Sequence, residues 1–404
     1  MILKLMKWFG LFLMVLVFLI PAIYFKDSAH SKSNDEVSLN SKRELSIKEK
    51  SLPEQPVRFA FNSGYHFDYP DAVRGIYVTG NSAGASKFPG LIKLVDSTDL
   101  NTMVIDIKDD RGNMTYKPDP SSPYSKIGKN YIKDPKALLK TLEEKKIYPI
   151  ARVVVFKDTV LANAKPEWSF MDGKDLWKNG RGESFVNPFL KEVWEYNVGV
   201  ALEAAKLGFQ EIQFDYVRFP EGFEKRDKEL KYSEGNYKDL EGDGVQQRVS
   251  AVTDFVSYAK EKLKPYGVKV SVDIFGYTAT LPEAPGIGQN FSKISNHVDV
   301  ISSMIYPSHW TSYFGIKNPD LEPYKLVAEY SKVEKKKLEQ LKNPPTSRPW
   351  IQDFTASWLG SGNYQVYGKS QVEAQIKALK DNGIHEYLVW NASNRYTPGV
   401  DYTP

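Results

Sequence analysis

Cysteine is absent from the 404 residues, which excludes a disulfide framework and thiolate chemistry. Histidine is scarce. Its five copies stand at 30, 66, 297, 309 and 385, no two closer than twelve positions, so the paired histidines of zinc sites are missing. An excess of charge of one sign is lacking as well: 54 basic and 50 acidic residues leave a net charge of +4, and no nucleic-acid footprint or partner is expected. The dinucleotide fingerprint G-x-G-x-x-G does not follow the first strand candidate, where Gly80-Asn81-Ser82-Ala83-Gly84 stands instead. On these grounds neither a cofactor nor a resident metal is expected.

What is present begins with Lys4 and Lys7, followed by Trp8 to Phe25, eighteen residues without a charge. That length just suffices for a membrane span. A secretory signal should end in small residues at a cleavage site, and Pro21-Ala22-Ile23-Tyr24-Phe25 is a poor one. An uncleaved anchor is therefore expected, and a secreted form only if the segment is cut. Lys4 and Lys7 hold the amino terminus inside, so the remainder is expected outside the cytoplasm. Residues 26–56, rich in Ser, Lys, Glu and Asn, cannot repay the entropy of ordering and read as a tether. The expected organisation is a membrane anchor over 1–25, a linker over 26–56 and a folded domain over 57–404.

Within that domain eight apolar stretches alternate with helical patterns. The strand candidates are 75–79, 102–108, 148–156, 211–220, 269–275, 299–306, 350–354 and 387–391. Helices are read over 135–146 and 188–207. A third carries the stripe Val249, Val252, Val256, Ala259 and Leu263, and 371–380 is ended by Asn382-Gly383. Eight strands with intervening helices predict a (β/α)8 TIM barrel rather than an open doubly wound sheet.

In such a barrel the site lies at the carboxyl ends of the strands. Residues 211–220, Glu-Ile-Gln-Phe-Asp-Tyr-Val-Arg-Phe-Pro, set Ile212, Phe214 and Tyr216 on one face and Gln213 and Asp215 on the other, with Arg218 as a partner for Asp215 if the pair is only structural. The same rule collects Asp106 and Lys108 from strand two, Arg152 from strand three and Asp273 from strand five. Tyr306 and Trp310 follow from strand six, Gln352, Asp353 and Trp358 from strand seven, and Trp390 from strand eight. Carboxylates converging on one mouth must split their pKa values, which is what glycoside hydrolysis needs of its acid and its nucleophile or base. Asp215 is the expected nucleophile or base. Asp273 is the expected proton donor, since Ser271, Asp273 and Phe275 share the face opposite Val270, Val272 and Ile274. Asp353 is its rival, and Asp106, with Lys108 beside it, is expected to stay ionised. Trp168, Trp177, Trp310 and Trp358, all in segments after strands, offer flat faces for sugar rings.

The run Phe214-Asp215-Tyr216-Val217-Arg218-Phe219-Pro220, with 104–109 upstream and 350–354 downstream, resembles a bacterial glycosyl-hydrolase-like domain family of unknown function. The resemblance covers roughly 74–391. That family is similar to the barrel glycosidases related to α-amylases and α-galactosidases, in which an Asp ending strand four is the nucleophile, and Asp215 matches it. Gln213 stands where α-amylases have Arg, Asp273 where they have Glu, and Gln352-Asp353 where they have a His-Asp pair. The resemblance implies a hydrolase of O-glycosyl bonds acting on a carbohydrate polymer. A carbohydrate-binding barrel without turnover is the alternative. A metal-dependent hydrolase using Asp106, Asp109 and Asp110 is a third reading, although Asp-Asp-Arg-Gly-Asn is explained as a turn.

Overall fold

The computed structural model describes residues 61–240 and 242–403. The expected anchor and tether lie outside the described residues; among those described, no helix is long and apolar enough to cross a membrane.

Eight parallel strands close on themselves: β1 Arg74–Val78, β2 Thr102–Lys108, β3 Tyr148–Val154, β4 Glu211–Asp215, β5 Lys269–Phe275, β6 Val300–Met304, β7 Trp350–Gln352 and β8 Tyr387–Trp390. Each pairs with its neighbour in sequence; β8 pairs with β1, and Trp350 opposite Met304 joins β7 to β6. The expected eight-strand barrel is the fold observed, with the strand ends trimmed by a few residues. β7 is interrupted. Thr346–Ser347 pairs lower down with β6, Pro349 has no N–H to give, and the ladder resumes at Trp350.

The crossovers carry helices α1 Phe88–Asp96, α2 Pro135–Glu144, α3 Lys191–Leu207, α4 Gly244–Leu263, α5 Phe291–Ser295, α6 Pro323–Leu338 and α7 Lys369–Asp381. Asp134 caps α2 and Asp243 caps α4, each accepting two backbone N–H bonds. In α4, Val249, Val252, Val256, Ala259 and Leu263 are all fully buried. After β8 no helix follows among the described residues. Val400 and Tyr402 bury there instead, and Tyr387 donates to the Tyr402 carbonyl.

Alternation along the strands sorts the core into two. Ile76, Ile105, Val153, Phe214, Val272 and Val389 face the helices, whereas Tyr77, Val104, Ile150, Trp350 and Leu388 form a separate apolar cluster inside the barrel. Below that cluster, at the amino-terminal end of the strands, Arg348 is fully buried. It donates to Glu211 at 2.7 Å, Glu386 at 2.8 Å and the Tyr69 hydroxyl at 2.8 Å. This ionic floor is remote from the mouth, where such barrels keep stability rather than chemistry.

Candidate active site

Near their carboxyl ends, β2, β3, β4 and β5 each carry a charged residue on the inward face: Asp106, Arg152, Asp215 and Asp273. The register Gln213 opposite Ser271 and Phe214 opposite Val272, carried one residue on, sets Asp215 beside Asp273. Arg152, 1% exposed, links the group. Its Nη1 donates to Asp106 Oδ1 at 2.7 Å, and its Nε and Nη2 donate to Asp215 Oδ2 at 3.0 and 2.6 Å. Nη2 also reaches Asp110 Oδ1 at 2.9 Å. Three carboxylates around one guanidinium hold it charged despite complete burial.

The carboxyls differ in their settings. Asp273 accepts from Trp350 Nε1 at 2.8 Å, with no cation in hydrogen-bond contact. Burial, then the charge of Asp215, pushes its carboxyl well above the usual range. Asp106 accepts from the Tyr77 hydroxyl at 2.6 Å and is raised to about 6, because burial outweighs the opposing pull of Arg152. Asp110, between Arg152 and Lys157, is lowered to about 2, the two cations overcoming burial. Tyr306, buried at the end of β6, has its phenol raised by burial and further by Asp273 and Asp215.

Asp215 ends its strand because Tyr216 turns into the left-handed region at φ 53°, so β4 stops five residues before Pro220. A bulky residue at positive φ is uncommon and stored strain of this kind clusters at functional sites. Its N–H donates to Asp215 Oδ1 at 2.6 Å, and its ring lies under Lys157 and Arg218.

Of the twelve residues singled out from sequence, Asp106, Arg152, Asp215, Asp273, Tyr306 and Trp390 come together. Trp390 stacks on Tyr77 at 4.0 Å, with the Arg152 guanidinium 5.6 Å from its ring. Trp358, 64% exposed, stacks on Phe354 farther out, and Phe354 in turn meets Tyr306.

The other five lie elsewhere. Lys108 faces outward, its ammonium on Asp158 at 2.6 Å, the Val154 carbonyl and Asn197, all buried. A β-bulge is the reason: Asp106 pairs with Arg152 but Lys108 with Val153, two steps against one, and the extra residue reverses the alternation. Asp106 thus has Arg152, not Lys108, for its cation. Arg218 pairs with Glu221 at 3.0 Å and lies over the Phe275 and Tyr216 rings, leaving Asp215 to Arg152. Gln352 is fully buried, bonded to Asp320, the Ser308 N–H and the Phe354 carbonyl. Asp353 accepts from the Thr397 N–H and hydroxyl, which ties the loop after β8 to the end of β7. Trp310 packs on Tyr330 of α6 and on Phe314, while Trp168 and Trp177 are half-buried against the core; of the four tryptophans expected to offer faces, only Trp358 does so openly. The three aspartates of the metal reading do not converge, since Asp109 is occupied with the N–H groups of Arg111 and Asn113.

Four members of the site are not among those twelve: Tyr77, Asp110, Lys157 and Trp350. Tyr77 and Trp350 lie on inward strand positions and were accessible from alternation. Asp110 and Lys157 lie on loops, where no periodicity signals direction.

A closed parallel barrel with carboxylates gathered at the carboxyl ends of its strands, beside aromatic faces, is the plan of the barrel glycoside hydrolases. The chain belongs to the family described as "Putative glycosyl hydrolase domain", which matches residues 75–396. Among solved structures it is similar to the PgaB (BpsB) glycoside hydrolase domain from Bordetella bronchiseptica, with a TM-score of 0.55 and 13% identity, 80% of this chain and 94% of that one being covered. A hypothetical protein from Ruminiclostridium thermocellum is 30% identical, with 49% of this chain and 96% of that one covered and a TM-score of 0.42. No curated protein matches the chain.

Proposed function

We propose that this protein is an extracytoplasmic, membrane-tethered glycoside hydrolase that cleaves a polysaccharide or oligosaccharide with Asp215 as nucleophile and Asp273 as general acid. The observation that carries the reading is the contrast between these neighbours. Arg152 places two charge-assisted hydrogen bonds on Asp215. Burial, and then the charge of Asp215 beside it, raise the Asp273 carboxyl and so favour its neutral form. A neutral carboxyl can protonate the leaving oxygen while the guanidinium-bound carboxylate meets the anomeric carbon. Adjacent strands lie about 4.8 Å apart, so carboxyls side by side on them suit the retaining geometry of about 5 to 5.5 Å better than a wider, water-filled gap. Trp390, Phe354 and Trp358 provide faces along which sugar rings stack, with buried Tyr306 packed behind Phe354 and Trp390. The location outside the cytoplasm rests on Lys4, Lys7 and the apolar run 8–25.

A second assignment of the donor has its own support. Asp106 is raised to about 6 and lines the open cleft beside the mouth, which Asp273 does not. The test is hydrolysis of a panel of polysaccharides by the unaltered chain and by Asp215→Asn, with the anomer of the first product followed by NMR. Loss of turnover in the variant with retention at the anomeric centre is the expected result. Activity that survives Asp215→Asn overturns the assignment.

A further inference from the structure

A cleft of about 1090 Å³ runs outward from the carboxylate cluster between the loops that follow β1, β2 and β3. Tyr77 and Asp106 form its inner end, so it continues the site, and its volume is ample for several sugar units. Its charges divide into two kinds. The four carboxylates that line it are each engaged by the protein itself: Asp106 by Arg152 and Tyr77, Asp110 by Arg152 and Lys157, Glu183 by Lys157 and Asn179, and Asp109 by backbone N–H groups. The three cations that line it, Arg111, Lys129 and Arg181, are exposed and form no ion pair among the described residues. Unpaired cations on the wall of a concave polar cleft raise its potential and concentrate anions there. Guanidinium groups also offer paired donors that fit a carboxylate or a phosphate equally well.

We propose that this cleft is the distal groove for an anionic glycan, a polymer bearing carboxylate or phosphate groups along its length. Arg111, Lys129 and Arg181 hold its charges while the reacting unit lies at Asp215 and Asp273. Only that placement of the reacting unit rests on the hydrolase reading; recognition of the anion does not. A neutral polymer gains nothing from these three residues, and a polycation such as chitosan is repelled by them.

The test uses the full-length Asp215→Asn chain, in which turnover does not consume the ligand, and titrates four polymers by calorimetry: a polyuronate, a phosphate-bearing glycan, a neutral glucan and chitosan. At least one anionic polymer should bind roughly tenfold or more tighter than the neutral glucan and chitosan. That affinity should weaken as salt rises from about 0.05 M to about 0.5 M, since exposed charges are screened. Whether the polyuronate or the phosphate polymer binds identifies the charged group. Arg111→Gln, Lys129→Gln and Arg181→Gln combined should lose at least about tenfold in that affinity with Tm unchanged, the three side chains being exposed. Failure of both anionic polymers to bind, tighter binding of chitosan or the neutral glucan, or indifference to the triple substitution overturns the groove. If anionic binding holds but the unaltered chain cleaves no polymer, the hydrolase reading fails and the groove stands. Cleavage confined to neutral or cationic polymers overturns the groove and leaves the hydrolase reading in place.

Discussion

Arg152 donates from Nε and Nη2 to the same oxygen, Oδ2, of Asp215, at 3.0 and 2.6 Å. One guanidinium thereby compensates the charge of Asp215 and, through its other contacts, those of Asp106 and Asp110.

The two partners should respond differently to substitution. Asp215→Asn leaves Arg152 with two carboxylates, so activity should fall by about three orders of magnitude or more while Tm changes little. Arg152→Met strands Asp106 and Asp215 in the interior and should cost about 3 to 5 kcal/mol of stability. Steady-state kinetics and denaturant melts of both variants check this. An Asp215→Asn protein that unfolds while Arg152→Met stays folded would reverse the roles.

Leaving-group dependence identifies the proton donor. With Asp273 as the acid, Asp273→Ala should retain most activity on activated aryl glycosides and lose it on poor leaving groups, and Asp106→Ala should slow both classes alike. If the discriminating pattern belongs to Asp106→Ala, the second assignment is correct.

The raised Asp106 carboxyl also links pH to stability. Its value moves from 3.8 to about 6 on folding. The folded chain therefore binds this proton more tightly than the unfolded chain does, a contribution fully present below about 3.8 and lost as pH rises through about 6. Asp106→Asn cannot lose it, so the Tm of the variant relative to the unaltered chain should climb between these values and level off above them. A difference that stays flat across the range would show that the carboxyl is not shifted.

At the opposite end of the barrel, Arg348→Met should leave Glu211 buried without its cation and lower stability by about 3 to 5 kcal/mol. Remaining folded protein should keep its kcat, because the floor is remote from the mouth. Loss of kcat in protein of unaltered Tm would contradict that separation.

The amino-terminal run leads to a further expectation. If Trp8 to Phe25 spans a bilayer, the full-length chain should remain with membranes after a high-salt wash, since ions do not screen hydrocarbon burial. Recovery of a soluble form beginning after Phe25 argues for cleavage instead.

Period-two alternation determined which side chains of β4 and β5 face inward. Gln213 and Asp215, Ser271 and Asp273 were legible for that reason, as was the strand count from which the barrel follows. Alternation reports a face and not a neighbour. Asp215 takes its cation from Arg152, on the preceding strand, and not from Arg218 three residues along, because strand register and the left-handed turn at Tyr216 decide the contact. Lys108 shows where the pattern itself breaks. A single extra residue in β2 turns it outward to Asp158, and a bulge has no periodic signature. Gln352 and Asp353 stand at the end of β7, as expected, but their side chains are taken up by Asp320 and Thr397, in connecting segments whose paths no local preference dictates. The order of elements and the polarity of each face were thus properties of the chain. The pairing of charges, and with it the difference between Asp215 and Asp273, arose only when strands distant in sequence closed the barrel, buried both carboxyls and gave the Arg152 guanidinium to Asp215 and the Trp350 indole to Asp273.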